Sequence, residues 1–206
     1  MTRAFLALVP DEEVRAAVGA EIDRLRPLSR AVAWVPVANL HVTLKFLGEL
    51  DADRLEEVGR ALAEAAAEAP AFSLALHGVG AYPGLERPRI LWVGASDGAL
   101  AARHVQARVE AALGRRGFPP ETRPWHPHLT IGRVFDERHW RREAGPPLRQ
   151  ALAEGARRDF GTLSVDRVAL MRSDLSARGA RYTELGSARL GPGPVSRDGG
   201  LRQPSD

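Results

Sequence analysis

The chain has 206 residues, of which 44% are hydrophobic, 27% charged and 6% aromatic, and its formal net charge is +3. That length fits one large domain or two small lobes with a sizeable core, and the composition excludes collagen-like, coiled-coil and wholly disordered chains. The absence of cysteine excludes disulfides, thiolate metal sites and thiol nucleophiles, and no apolar run approaches the ~18 residues of a membrane span.

The apolar run at the start of the chain gives way at once to Pro10, Asp11, Glu12 and Glu13, which reads as a strand running into a helix and not as an export signal. With cysteine absent as well, the cytoplasm is the simplest location. Lys45 is the single lysine among 29 basic residues. The basic surface is therefore arginine, whose planar fork suits phosphate. The small positive excess itself signals only a weak preference for anionic partners.

In chain order, Arg3–Val9 reads as a strand, followed by a helix to about Leu25 capped by Asp11, with acids in its first turn as the helix dipole prefers. Val32–Val35 is a short strand. Pro36–Leu40 leads into an alternating strand, His41–Leu47, expected to stop at Gly48. Asp53–Ala69 is an Ala/Glu-rich amphipathic helix closed by Pro70. Strands over Phe72–Gly80 and Ile90–Val93 flank a loop that carries Tyr82. Gly98–Arg116 is a third helix, Gly117–Pro127 a proline-rich loop, and His128–Arg133 the next strand. Leu148–Arg157 is expected as a short helix, and Phe160–Val165, Val168–Ser173 and Tyr182–Leu185 as the last strands. Residues 1–186 thus form one domain. Ser187–Asp206, rich in Gly, Pro, Ser and Arg, is expected to be a disordered tail.

One pattern occurs twice. His41-Val42-Thr43-Leu44 and His128-Leu129-Thr130-Ile131 are both histidine, aliphatic, threonine, aliphatic, each in a strand that follows a proline-containing loop. Successive strand side chains point to opposite faces, so His41 and Thr43 share one face and His128 and Thr130 share another. A pseudo-two-fold relation between the copies would bring two imidazoles and two hydroxyls into one cleft. Such a set suits phosphoester chemistry. A neutral imidazole takes a proton from a nucleophile, an imidazolium gives one to the leaving oxygen, and hydroxyls donate to the non-bridging oxygens.

The paired motifs resemble those of the 2H phosphoesterase superfamily, and within it the RNA 2′,3′-cyclic phosphodiesterase (2′-5′ RNA ligase-like) family. Matching runs are Trp34-Val35-Pro36 ahead of Asn39 to Gly48, Arg89 to Gly94, Pro127 to Arg133, and Arg172 to Leu175 ahead of Arg181-Tyr182. The resemblance implies an α+β, bilobed fold: two pseudo-symmetric lobes of antiparallel sheet backed by helices around a central cleft. It implies hydrolysis of a 2′,3′-cyclic phosphate at an RNA or nucleotide end to a 2′-phosphate, with 2′-5′ joining of RNA ends as the reverse chemistry. His41 and His128 carry over as catalytic, and Thr43, Thr130 and Arg133 as phosphate-binding. Strict alternation sets Arg133 on the face opposite His128, so a bulge at Gly132 is needed to turn it into the cleft.

Around this set, alternation groups Phe46 with Val42 and Leu44 and so favours core packing, against a base-stacking role in the family. Tyr82, Arg87, Arg89, Arg123 and Trp125 sit on loops within reach of a cleft and suit RNA by charge and stacking, and His126 lies two residues before His128. No carboxylate lies near His126 and no second such pair accompanies His41, so no metal and no cofactor is expected. The expected partner is RNA with a 2′,3′-cyclic phosphate end or a related nucleotide, acted on by a monomer away from membranes. Alternatives are a small cyclic nucleotide or ADP-ribose cyclic phosphate as substrate, or a non-catalytic module that binds RNA ends. No G-x-S-x-G elbow or phosphate-binding P-loop is present.

Overall fold

A computed structural model describes residues 1–143, 145–176 and 179–192. Its strands are β1 (Thr2–Leu8), β2 (Val32–Trp34), β3 (Val42–Leu50), β4 (Phe72–Tyr82), β5 (Ile90–Ala95), β6 (His128–Val134), β7 (Asp159–Val165), β8 (Arg167–Ser176) and β9 (Gly179–Arg189). The helices are α1 (Glu12–Leu25), α2 (Ala52–Ala67), α3 (Ala99–Gly114), α4 (Glu137–Glu143) and α5 (Pro146–Gly155). The strands form one antiparallel sheet in the order β7-β4-β5-β6-β3-β1-β8-β9, with β2 added along β6. This is the expected α+β arrangement. Four strands lie on each side of the β6–β3 junction, and each of these two innermost strands carries one copy of the histidine motif.

The helices cover the other face of the sheet. In α1 the residues at helical spacing, Val14, Val18, Ile22 and Leu25, are buried, and the Asp11 carboxylate caps the helix by accepting from the Val14 N–H at 2.9 Å. Glu21 is buried on the same helix because two arginines neutralise it, Arg24 at 2.7 Å and Arg158 at 3.2 Å. α2 buries Val58, Ala61, Leu62 and Ala65 and packs against α3, which buries Ala102, Val105, Val109 and Ala112.

Several boundaries differ from the sequence expectation. β3 does not stop at Gly48. Gly48 takes φ +76°, and the strand continues to Leu50 past a bulge in the β1–β3 ladder. β4 runs on to Tyr82 because that residue pairs with Ile90, so Tyr82 ends a strand and does not sit in the loop. α4 was not anticipated; its seven residues hold one buried apolar side chain, Trp140, too few for a helical period to show. The last hairpin is longer than expected. Ser187, Ala188 and Arg189 pair with β8, Leu190 is buried, and Gly191 exchanges backbone hydrogen bonds with Ala69 and Ala71. Order therefore extends beyond residue 186. The rest of the expected tail, residues 193–206, lies outside the described residues.

Candidate active site

The two motif strands meet at one pair, Val42 opposite Leu129, the second residue of each motif. In an antiparallel pair, a step either way from that point sets His41 opposite Thr130 and Thr43 opposite His128. The local two-fold axis of the ladder thus passes through the junction itself. Val42 and Leu129 are fully buried on the core side. The two histidines and two threonines stand on the other face, half-buried, with the imidazoles on a diagonal. Diagonal neighbours in such a pair are roughly 7–8 Å apart, room for one phosphate between them.

Both imidazoles are fixed in the same way. Nδ1 of His41 lies 2.7 Å from the carbonyl oxygen of Asn39, and Nδ1 of His128 lies 2.8 Å from that of His126. A carbonyl only accepts, so Nδ1 carries the proton in each ring and Nε2 is left as the working nitrogen. Each ring also meets a tyrosine edge-on, His41 with Tyr182 at 5.2 Å and His128 with Tyr82 at 5.6 Å between centroids. Phe5 adds a third ring beside His41, at 4.8 Å. Burial is the main cause that pushes both imidazoles below their ordinary value of 6.5. The carbonyl bonds act against it, and the positive charge of Arg133 adds to it at both rings.

The position of Arg133 rests on a bulge. Trp92 of β5 pairs with Thr130, but the next residue, Leu91, pairs with Gly132, so Ile131 is an extra residue in β6. The slip reverses the alternation, and Arg133, opposite Ile90, shares the cleft face with Thr130 and Trp92. The bulge falls one residue before the expected Gly132. That glycine has a different task, since a Cβ on it would lie 2.6 Å from Val32 Cγ1.

β3 makes the same slip at the same motif position. Thr43 pairs with Ala7 and Lys45 with Leu6, leaving Leu44 as the extra residue. Phe46 is therefore turned to the cleft face with Thr43, 65% exposed and 6.1 Å from Phe5 between centroids. This corrects the core placement inferred from simple alternation. Phe46 and Arg133 both follow their histidine by five residues and so occupy equivalent places in the two halves.

Of the flanking candidates, Tyr82 reaches the site. Trp125 is half-buried: its indole N–H donates to the Thr43 carbonyl at 2.9 Å and its side chain packs on the core. It pins the 117–127 segment to β3. His126 is exposed and accepts at Nδ1 from Arg103 at 3.1 Å, so its contribution to the site is the carbonyl that holds His128. Arg123 is exposed, with its backbone N–H held by Glu121. Among the described residues no group of three or more His, Asp or Glu side chains is placed to hold a metal ion.

Sequence reasoning gave no site role to Phe5, Asn39, Trp92 or Tyr182, although the last three lie in the runs that carry the family resemblance. Asn39 gives its carbonyl to His41 and its side-chain amide to Ala180 at 2.7 Å, tying the first motif to β9. Trp92 lies flat across the sheet where a Cβ on Gly80 would be 2.2 Å, and one on Gly94 2.9 Å, from its ring, and it backs Tyr82 at 5.2 Å. Alternation along β1 and β9 carried some signal for Phe5 and Tyr182, but only the strand order brings them to His41.

A helix-backed antiparallel sheet with a histidine-threonine pair from each half on one open face defines the 2H phosphoesterase class. A family model described as the 2′-5′ RNA ligase superfamily matches residues 10–177, and the chain belongs to that superfamily. The chain is 35% identical over 147 residues to a protein of Aeropyrum pernix named RNA 2′,3′-cyclic phosphodiesterase, covering 71% of this chain and 80% of that one. It is 30% identical over 188 residues to a protein of the same name from Methanothermobacter thermautotrophicus, covering 91% and 98%. The crystal structure of TT0787 of Thermus thermophilus superposes with a TM-score of 0.72 at 31% identity, covering 92% of this chain and 98% of that one. No helix among the described residues is long and apolar enough to cross a membrane.

Proposed function

We propose that this chain is an RNA 2′,3′-cyclic phosphodiesterase, which opens the cyclic phosphate at an RNA 3′ end and leaves a 2′-phosphate. The observation that carries this reading is the pair of imidazoles held alike by backbone carbonyls, each with a free Nε2, across a cleft that Arg133 shares. His128 acts as base: its Nε2 takes a proton from water as the water oxygen bonds to phosphorus. The bond from phosphorus to the 3′-oxygen breaks in line with that attack, and His41 gives its Nε2 proton to the departing oxygen. The Thr43 and Thr130 hydroxyls and the Arg133 guanidinium donate to the non-bridging oxygens as their charge grows. An RNA 5′-hydroxyl in place of water makes a 2′-5′ bond by the same steps.

Burial leaves His41 neutral in the free protein near pH 7, whereas an acid has to carry a proton. The substrate supplies the reason for it to gain one, since an anionic phosphate beside an imidazole favours the imidazolium. Every group in this scheme comes from one chain, which supports a monomer as the working unit. The cytoplasm, where RNA ends are processed, is the proposed location.

The test supplies RNA oligonucleotides ending in a 2′,3′-cyclic phosphate, with and without EDTA, and identifies the terminal phosphate of the product. A 2′-phosphate formed equally in both is the expected result. A 3′-phosphate, or turnover lost in EDTA and restored by zinc or manganese, contradicts the mechanism.

A further inference from the structure

Beyond the cleft lies a groove of about 570 Å³ between the 83–89 connection and the end of β6. Its walls include Pro83, Arg87, Arg89, Val134, Phe135 and Glu137. Its lining follows the cleft residues along the chain: Pro83 follows Tyr82, whose ring lies 5.6 Å from that of His128 between centroids, and Val134 follows Arg133. The backbone there is tied down. The Arg89 N–H donates to Tyr82 O at 2.7 Å, Val134 N–H to Arg89 O at 3.0 Å, and Phe135 N–H to Ala31 O at 3.1 Å.

On this fixed backbone two side chains stand unused. Phe135 is 69% exposed. Arg89 is exposed, and among the described residues its guanidinium has no hydrogen-bond or ion-pair partner. The one acid of the groove, Glu137, is already taken by Arg87, at 3.6 Å, and by Arg141. A free guanidinium beside a bare aromatic ring suits a ligand that alternates phosphate with stackable base.

We infer that this groove is a subsite for the upstream nucleotides of an RNA substrate, with Phe135 stacking a base and Arg89 contacting a backbone phosphate. The inference rests on the proposed function and narrows its substrate to oligonucleotides. A cyclic phosphate occupies the 3′ end, so the rest of the RNA leaves through the 5′-oxygen of the terminal nucleoside. Val134 lies four residues beyond Thr130, one of them bulged, which is roughly 10–13 Å along the strand at ~3.3 Å per residue. That distance is beyond a single nucleotide, and a mononucleotide leaves the groove empty.

The experiment measures kcat/KM on 2′,3′-cyclic AMP and on di-, tri- and tetranucleotides with a 2′,3′-cyclic phosphate end, at two salt concentrations. For the unmodified protein kcat/KM is expected to rise about tenfold along the series, mainly through KM, as one base stack would give. Phe135→Ala and Arg89→Ser are expected to remove most of that rise and to leave turnover of 2′,3′-cyclic AMP within about twofold. Arg89→Ser should also flatten the salt dependence for the longer substrates. A flat series in the unmodified protein, or a full rise in both variants, overturns the subsite while the proposed function stands. Turnover of no substrate in the series overturns both.

Discussion

The strands β3 and β6 are the same device in two settings. Each carries histidine-aliphatic-threonine-aliphatic at its start, with His41 just ahead of β3 and His128 first in β6, fixes its imidazole to the carbonyl two residues back, and bulges at the fourth motif position. The settings then diverge. The fourth residue after the histidine is Lys45 in one half, buried and paired with Glu110 at 2.8 Å, and Gly132 in the other, under Val32 and Trp34. The fifth is Phe46 in one and Arg133 in the other. His41 is walled by Phe5 and Tyr182, and His128, among the described residues, by the single ring of Tyr82. A repeated backbone thus supplies two equivalent nitrogens, and unequal neighbours give them different surroundings. That inequality is what one acid and one base require of two identical side chains.

The largest effect expected separates the two nitrogens. His41→Ala and His128→Ala should each lower the rate on a cyclic RNA end by ~10²–10⁴. On a p-nitrophenyl phosphodiester, whose leaving group needs no proton, His41→Ala should recover most of its activity and His128→Ala should not. Recovery of the His128 variant instead would exchange the roles, and full activity of either variant on the cyclic end would remove the two-histidine mechanism.

The equivalent fifth positions should respond unequally. Arg133→Met should cost ~10²-fold in kcat/KM, as loss of a charged donor to the non-bridging oxygens does. Phe46→Ala, which removes a ring we propose stacks on the base, should cost about 5- to 10-fold, seen in KM. Equal losses at the two positions would show that the bulges do not divide their tasks in this way.

The pH dependence follows from the directions of the two shifts. The active form has one imidazole protonated and the other neutral, and it is most populated between the two values. Both lie below 6.5, so kcat/KM should peak on the acid side of 6.5. Bound phosphate raises both, so the kcat profile should lie to the alkaline side of the kcat/KM profile. Arg133→Met removes a positive charge that lowers both and should move the kcat/KM peak upward, whereas Phe46→Ala should not move it. An unmoved peak in Arg133→Met would place its guanidinium away from the imidazoles.

At the fourth position the contrast is one of stability. Gly132→Ala forces a methyl group to within 2.6 Å of Val32 and should cost ~1–3 kcal/mol by thermal denaturation. Lys45→Met takes the ammonium from Glu110, which keeps hydrogen bonds from Gln106 Nε2 and the Glu121 N–H, and should cost less. The reverse order would mean that Val32 yields to the extra methyl and that the ion pair holds β3 to α3.

Much of this site was legible without coordinates because it is written in local terms. Alternation in a short strand fixes which side chains share a face, so His41 with Thr43 and His128 with Thr130 followed directly from their spacing, as did the buried partners Val42 and Leu129. The α1 cap was equally local, a carboxylate three residues before the N–H it accepts from. Phe46 went wrong for a related reason. Alternation is a strict rule only while the ladder is unbroken, and a bulge inverts it without any mark in the sequence: neither Leu44 nor Ile131 is a glycine, and both are ordinary strand residues. The requirement for a bulge was visible from Arg133, but its place was not.

The end of the chain shows the same limit. Residues 187–191 look like tail by composition, yet β8 offers Ser187–Arg189 a ladder, and Ala69 and Ala71 offer Gly191 hydrogen bonds. What the sequence by itself determined was the chemistry: two imidazoles, two hydroxyls and an arginine in paired strand motifs. What only the tertiary structure decided was which strands are neighbours. That order brings Phe5 and Tyr182 from β1 and β9 to His41, and Tyr82 from β4 to His128. Contacts across a sheet join residues up to 177 positions apart, as Phe5 and Tyr182 are. No local pattern encodes such a contact, because it is fixed by the packing of the whole sheet and the helices behind it.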